Sequence, residues 1–338
     1  MPVSLSAAGP LVDARGRIAK KVRVSVTDRC NFACLFCMPK KEDVKWLPKQ
    51  EILTYEEIAR VVRVLASLGV SKVRLTGGEP LLRREVEELV RMLCNIEGIE
   101  AIDMTTNGWF LSEKAHLLKE AGLRGITVSL HSLRRERFAQ LSGIDALPRV
   151  LEGITAAMEA GLRPLKINAV AIRGYNDDEI LDLVEFARQR EISIRFIEFM
   201  PLDGLGIWGP ERFMSAREIL GAVMARYRLI PLGRQRGETA SRWAFEDGRG
   251  ELGIIASMTE PFCDDCDRIR LTADGKFLAC LFDTHYYDLK PLLRGGASDE
   301  ELASFISQCY LRKPAGVAYM PWVKVRWEKP RPMHAIGG

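Results

Sequence analysis

Short apolar runs alternate with stretches of helical period from residue 22 to residue 199, and no other feature limits the possible folds of this 338-residue chain so sharply. The runs fall at 22–26, 70–76, 101–105, 125–129, 165–171 and 193–199, and the helical stretches between them at 54–69, 85–96, 112–121, 147–160 and 178–190. The first helix is the most clearly marked. Thr54 is a suitable N-cap with Glu57 three residues on, Ile58, Val61, Val62 and Leu65 form one apolar stripe, and Gly69 ends it. Strands that each hand over to a helix run parallel and are joined by right-handed crossovers. Strands this continuously apolar belong to a sheet covered by helices. Six units are too few to close an eight-stranded barrel, so the prediction is an α/β fold, an open, partial (β/α)6 barrel of the TIM type.

Folds of this kind place their chemistry at the C-terminal ends of the strands. Polar residues recur there, as if gathered at one mouth: a cysteine loop, Glu79, Thr105 to Asn107, Ser129, Lys166, and Glu198 with Met200. After a Gly- and Pro-rich loop at 201–210 come a helix at 215–227 and β-like texture at 241–245 and 253–256. A hairpin follows, 268–272 with 276–281, turning at Asp274-Gly275. A last helix near 299–310 leads to an irregular Pro-rich segment and Gly337-Gly338. The predicted division is a barrel region over 1–230 and, over 231–338, a C-terminal α+β extension that closes the mouth.

No apolar run is long enough to span a bilayer. The residues up to Arg17 lack both the order of a signal peptide and the Arg- and Ser-rich look of a transit peptide. The expected location is therefore the cytoplasm, where disulfides are rare and the spacing of the eight cysteines matters more than their number. A net charge of +4, with Lys and Arg spread along the chain, argues against a nucleic-acid partner and suits a small anionic substrate. Cys94 and Cys309, each on a helix among apolar neighbours, read as buried small hydrophobes.

The other six cysteines form two triplets. Cys30, Cys34 and Cys37 share one short loop after the first strand and can aim three thiols at one point. A tetrahedral zinc ion or a four-iron cluster takes four ligands, so one corner is left open. In the second set, Cys263 and Cys266 precede the hairpin and Cys280 closes it, so antiparallel pairing returns the third sulfur to the first two. A zinc ribbon is the alternative there, but it needs a fourth Cys or His and only His285 is near. Arg268 and Arg270, directly after this set, share one face at strand period. They read either as a solvated face or as an anion clamp beside a metal group.

With these residues the chain resembles the radical S-adenosylmethionine (SAM) enzymes. The resemblance implies a [4Fe–4S] cluster on Cys30, Cys34 and Cys37 whose open iron is taken by SAM. It also implies Phe36 near the adenine, the turn Gly77-Gly78-Glu79-Pro80 at the amino group of SAM, and Gly78, Ser129 and Met200 among the SAM contacts. Over essentially its whole length the chain is similar to the GTP 3′,8-cyclase family, which begins molybdenum cofactor biosynthesis. That similarity is carried by Val26-Thr27-Asp28-Arg29-Cys30-Asn31-Phe32, Leu75-Thr76-Gly77-Gly78-Glu79-Pro80-Leu81, Arg195-Phe196-Ile197-Glu198-Phe199-Met200, the second triplet and Ile336-Gly337-Gly338. It implies a second [4Fe–4S] cluster on Cys263, Cys266 and Cys280, and GTP between the two clusters at Arg23, Arg74, Thr105, Lys166, Arg268, Ile269 and Arg270. Arg268 and Arg270 take a catalytic role and the Gly-Gly tail reaches the active site. The implied partners are a reducing flavodoxin- or ferredoxin-type electron donor and a downstream cyclic pyranopterin monophosphate synthase, with no membrane or nucleic acid, and a homodimer as the candidate assembly. His131 stands where this family usually has an aspartate. The rival readings are a radical SAM enzyme acting on a peptide, for which three extra cysteines are few, and a zinc-binding nucleic-acid module.

Overall fold

The computed structural model describes residues 9–317 and 332–337. The start of the N-terminal arm (1–8), most of the Pro-rich segment (318–331) and Gly338 lie outside the described residues. The six expected strands are present: β1 (Lys21–Ser25), β2 (Lys72–Thr76), β3 (Ala101–Thr106), β4 (Gly125–Ser129), β5 (Leu165–Ala171) and β6 (Ser193–Glu198). They lie side by side in that order, all parallel. Between them run α1 (Tyr55–Ser67), α2 (Val86–Cys94), α3 (Leu111–Glu120), α4 (Arg135–Ser142), α5 (Leu147–Glu159) and α6 (Ile180–Gln189). The Thr54–Glu57 capping box that opens α1 is formed as its sequence predicts. Helix α4 is unexpected from the sequence. Its eight residues include only Phe138 and Leu141 as large buried apolar side chains, too few to show a period.

Each strand sends alternate residues to opposite faces. Val22, Val24, Val73, Leu75, Ile102 and Met104 enter the main apolar core with the inner stripes of the helices. Burial of each such side chain stabilises the fold by about 1.5–3 kcal/mol. The opposite faces carry Lys21, Arg23, Lys72, Arg74, Asp103 and Thr105, which line an internal cavity. A closed barrel would fill that space with branched side chains.

The C-terminal part continues the same sheet. After α7 (Ala216–Met224) come β7 (Leu229–Gly233), β8 (Ser241–Phe245), β9 (Glu251–Ile255), β10 (Arg268–Leu271), β11 (Lys276–Leu278) and β12 (Tyr287–Asp288), then α8 (Lys290–Arg294) and α9 (Asp299–Leu311). The sheet order is β12-β11-β10-β1-β2-β3-β4-β5-β6-β9-β8-β7. β9 adds parallel to β6 and β10 adds parallel to β1. Eight consecutive strands are thus parallel, but β9 and β10 do not pair, so the barrel stays open.

This topology moves the second triplet. The hairpin lies in the sheet, with Arg268 level with Lys21 at the start of β1. Cys266 precedes β10 by two residues and Cys280 follows β11 by two, so both sit at the strand-start end of that pair. Cys30 leaves from the strand-exit end of β1. The triplets therefore lie toward opposite ends of neighbouring strands, not over one mouth. Cys309 is buried as expected, but Cys94 is exposed at the end of α2, with Ala121 O 3.6 Å from its thiol. The helix stops at Cys94 itself, so this residue leaves the packed stripe.

Candidate active site

Both triplets open onto one cavity of about 430 Å³ inside the barrel, a size typical of small-molecule sites. The first loop is pinned to the end of α4 by Ala33 N to Ser142 O (2.9 Å) and Leu35 N to Leu141 O (3.1 Å). A tight turn, Cys37 N to Cys34 O at 2.9 Å, brings the second and third cysteines round. Burial, with Glu79 nearby, raises the Cys30 thiol to about 12. Burial likewise raises Cys37 to about 12, and burial with the neighbouring Cys37 and Cys30 pushes Cys34 up. Such thiols give up their protons to a strongly electrophilic centre and are poorly reactive without one.

In the second set burial opposes ionisation of Cys266, but Arg268 and Lys313 outweigh it and bring the thiol down to about 7. The Arg268 Nη2 lies 3.2 Å from its sulfur. Among the described residues no three His, Cys, Asp or Glu side chains close on a single metal ion. A lone zinc at 2.3 Å from each sulfur would hold three sulfurs within roughly 4 Å of one another. A cubane cluster places each cysteine on a separate iron. The thiols of Cys30, Cys34 and Cys37, gathered on one loop, are a donor set that fits an iron–sulfur cluster.

The glycine turn supports the first loop from beneath. Gly78 N donates to Thr27 O (2.8 Å) and Glu79 N to Arg29 O (2.8 Å). A Cβ on Gly78 would lie 2.2 Å from Arg29 O, so the close approach that needs glycine is to the chain just before Cys30. The buried Glu79 carboxylate accepts from Leu81 N (3.0 Å), Thr106 Oγ1 (2.7 Å) and Asn107 N (2.7 Å). Burial nevertheless lifts its pKa to about 7. Asn107 passes the restraint on, donating to Asn31 Oδ1 at 2.8 Å. Glu198, another strand-end carboxylate, is a structural pin: it accepts from Ala216 N, the first residue of α7, and from Met258 N beyond β9, each at 2.7 Å.

Phe36, Gly78, Ser129 and Met200 all line the cavity. The Phe36 ring meets the His131 ring edge-on at 4.5 Å. His131 is buried, which lowers its pKa to about 4, and its Nδ1 accepts from Val170 N at 3.1 Å. The neutral imidazole so defined carries its hydrogen on Nε2.

Arg23, Arg74, Thr105, Lys166, Arg268 and Arg270 also line the cavity. Ile269 does not: its side chain is buried in the apolar core on the other face of β10. Arg74 reaches Thr105 Oγ1 (3.4 Å), Thr127 Oγ1 (3.2 Å) and Asp103 Oδ2 (3.0 Å). Burial, with Arg270, Arg74 and Arg268 around it, lowers Arg23 well below the usual arginine value. Burial, then Arg195 and Arg74, lowers Lys166 to about 8. So much confined positive charge calls for a polyanion. The sequence reading misses Lys21, Lys72 and Arg195, although period-2 alternation along β1, β2 and β6 puts them on the inward face with Arg23 and Arg74.

Arg270 is occupied by the chain's own tail, donating to Ile336 O (3.0 Å) and Gly337 O (2.5 Å). Gly337 has φ +78°, and a Cβ there would lie 2.5 Å from Thr76 Oγ1. Gly337→Ala is expected to expel the tail. Proteolysis at the C-terminus should quicken and turnover should fall at least about tenfold; unchanged protease resistance would show that the tail tolerates the extra carbon.

Two family models match the chain: the radical SAM superfamily over residues 24–187 and molybdenum cofactor synthesis C over 192–319. A GTP 3′,8-cyclase of Pelotomaculum thermopropionicum is 42% identical, covering 96% of this chain and 99% of its own. One of Streptomyces coelicolor is 44% identical over 97% and 96% of the two chains. The crystal structure of Streptococcus suis SuiB bound to S-adenosylmethionine superposes with a TM-score of 0.60 at 16% identity, covering 86% of this chain and 68% of that one, which supports the fold alone. A parallel barrel left open, a cysteine loop at the exit of its first strand and these full-length relatives lead to one assignment: the chain belongs to the GTP 3′,8-cyclase family of radical SAM enzymes.

Proposed function

We propose that this protein joins ribose C3′ of GTP to guanine C8, forming (8S)-3′,8-cyclo-7,8-dihydroguanosine 5′-triphosphate, the first step of molybdenum cofactor biosynthesis. The observation that carries this reading is a single cavity with a cysteine triplet toward each end of β1 and β10 and a wall of cations between. Cys30, Cys34 and Cys37 would hold the first [4Fe–4S] cluster, with SAM against Phe36, Gly78, Ser129 and Met200; Cys263, Cys266 and Cys280 would hold the second. When bound, the first cluster with SAM supplies a 5′-deoxyadenosyl radical, and the second supplies an open iron for the guanine edge.

The chain's own residues bind and confine the substrate. Arg23, Arg74, Lys166, Arg268 and Arg270 present their charge inside the barrel, where low dielectric strengthens attraction to the triphosphate. Thr105, holding Arg74, keeps that guanidinium aimed across the sheet. The tail on Arg270 covers the strand-exit end and keeps water from the reacting carbons. Arg268 and Arg270 sit nearest the second triplet in sequence and are our candidates for the catalytic pair. We place the enzyme in the cytoplasm; among the described residues no helix is long and apolar enough to cross a membrane. A flavodoxin- or ferredoxin-type reductant, a homodimeric assembly and hand-over to a cyclic pyranopterin monophosphate synthase complete the proposal.

Anaerobic incubation of the reduced, iron-loaded protein with SAM and GTP tests the reaction. The expected products are 5′-deoxyadenosine and the cyclised triphosphate in equal amounts; iron-loaded protein that forms neither overturns the reading.

Lys166 adds a pH dependence. Its ammonium is destabilised to a pKa of about 8 in the nucleotide-free cavity, and a bound triphosphate raises that value. Binding above pH 8 therefore takes up a proton, and GTP affinity falls as pH rises through about 8, by up to about tenfold per unit. Calorimetric titration across this range should show the fall in the native protein and lose it in Lys166→Arg. An identical fall in both would assign it to another group.

A further inference from the structure

The loop from β7 to β8 brings a carboxylate into the cationic cavity. β7 and β8 lie at the far edge of the sheet from β1, yet their loop reaches the start of β1, where Lys21 Nζ donates to Gly237 O and to Glu238 Oε1, each at 2.9 Å. Gly237, Glu238 and Thr239 form part of the cavity wall. Glu238 also acts electrostatically on Arg74, Lys166 and Arg195. Arg195 Nε is buried with no hydrogen-bond partner among the described residues. Burial opposes ionisation of Glu238, but Lys21, with Arg195 and Lys166, outweighs it and holds the pKa at about 2. Lys21 also meets Asp267 Oδ2 at 3.2 Å, and Asp103, another acidic wall residue, is already engaged by Arg74 at 3.0 Å and Arg124 at 3.4 Å.

We propose that Glu238 is a resident competitor for the phosphate chain, an internal anion that occupies the cation field of the empty cavity and yields it when the triphosphate enters. The proposal rests on reading this cavity as a nucleoside triphosphate site. A carboxylate and a phosphate oxygen are alternative partners for the same ammonium, and two like charges a few ångströms apart in a confined site repel strongly. Glu238 therefore lowers the affinity of every anion that enters, a threshold that a ligand must exceed with its other contacts. A free inorganic polyanion, lacking a base, binds poorly, whereas GTP adds contacts along its whole length. The residue is half-buried on a loop, so its replacement leaves the barrel core intact.

The test compares full-length, iron-loaded native protein with Glu238→Gln for binding of inorganic tripolyphosphate, GTP and guanosine by calorimetry under anaerobic conditions. Glu238→Gln should bind tripolyphosphate and GTP about tenfold more tightly, the size of effect expected for removing one close like charge, while guanosine changes less than about twofold. Unchanged or weaker tripolyphosphate binding overturns the proposal, as does an equal gain for guanosine. Native protein that binds GTP and cyclises it, with a silent Glu238→Gln, sinks the inference alone. Native protein that binds neither GTP nor tripolyphosphate sinks the functional reading and the inference with it.

Discussion

Cys34→Ala is expected to abolish SAM cleavage, while Cys263→Ala keeps SAM cleavage and loses the conversion of GTP. The two losses separate because the triplets stand toward opposite ends of the β1–β10 pair, each on its own loop. Among the described residues neither triplet has a fourth protein ligand, so removing one thiol leaves two, and a cluster held by two cysteines is not expected to survive purification. Each variant should therefore retain about half the iron and sulfide of the native protein, four iron atoms per cluster. The discriminating measurement is 5′-deoxyadenosine formed with SAM and reductant alone, followed by the same assay with GTP. Cys34→Ala should yield no 5′-deoxyadenosine in either. Cys263→Ala should yield it in both, without cyclised product. Equal loss of SAM cleavage in both variants would contradict the division of labour. Full iron retention in Cys263→Ala would remove the second cluster from the proposal.

What could be read from the chain alone follows from which interactions are local. The six strands and the capped first helix are legible because alternation, capping and glycine stops act within a few residues. The parallel pairing of β10 with β1 and of β9 with β6 leaves no local mark, since β10 lies 247 residues from its partner and the register is set by packing alone. For that reason the sequence shows the hairpin only as part of an extension that closes the mouth, whereas it is a strand pair in the sheet. The cysteine spacings, the glycine turn and the arginine pair are legible as motifs. The inward cations Lys21, Lys72 and Arg195 follow from the pleat once the strands are fixed. Glu238 has no signal in the sequence: a glutamate in a Gly- and Arg-containing loop looks solvated until the fold brings it against Lys21. Ile269 shows the converse. It lies between the two arginines in the motif, but the same pleat that points them inward turns it into the core.

Gly78→Ala is expected to empty the first cysteine loop of iron while leaving the second triplet loaded. The added Cβ would lie 2.2 Å from Arg29 O, 2.5 Å from Arg29 C and 2.6 Å from Asp28 O. All three are backbone atoms, so no side chain can swing aside, and either the turn or the segment leading to Cys30 must move. Two hydrogen bonds join those segments, Gly78 N to Thr27 O and Glu79 N to Arg29 O, and separation breaks both. The displacement carries to the cysteines through Glu79, whose carboxylate fixes Asn107, which in turn holds Asn31 beside Cys30. Forcing an atom into a packed site costs about 1–3 kcal/mol, and the lost backbone bonds place this case at about 3 kcal/mol or above. Gly221→Ala in α7 is the matched control: nothing lies within 4 Å of a Cβ there, and alanine favours the helix by about 1 kcal/mol. Urea unfolding should therefore move in opposite directions for the two variants. Iron analysis should find about four atoms in Gly78→Ala and the native content in Gly221→Ala. A Gly78→Ala protein that unfolds at the native midpoint and loads both sites would mean that the turn gives way freely and does not position the loop.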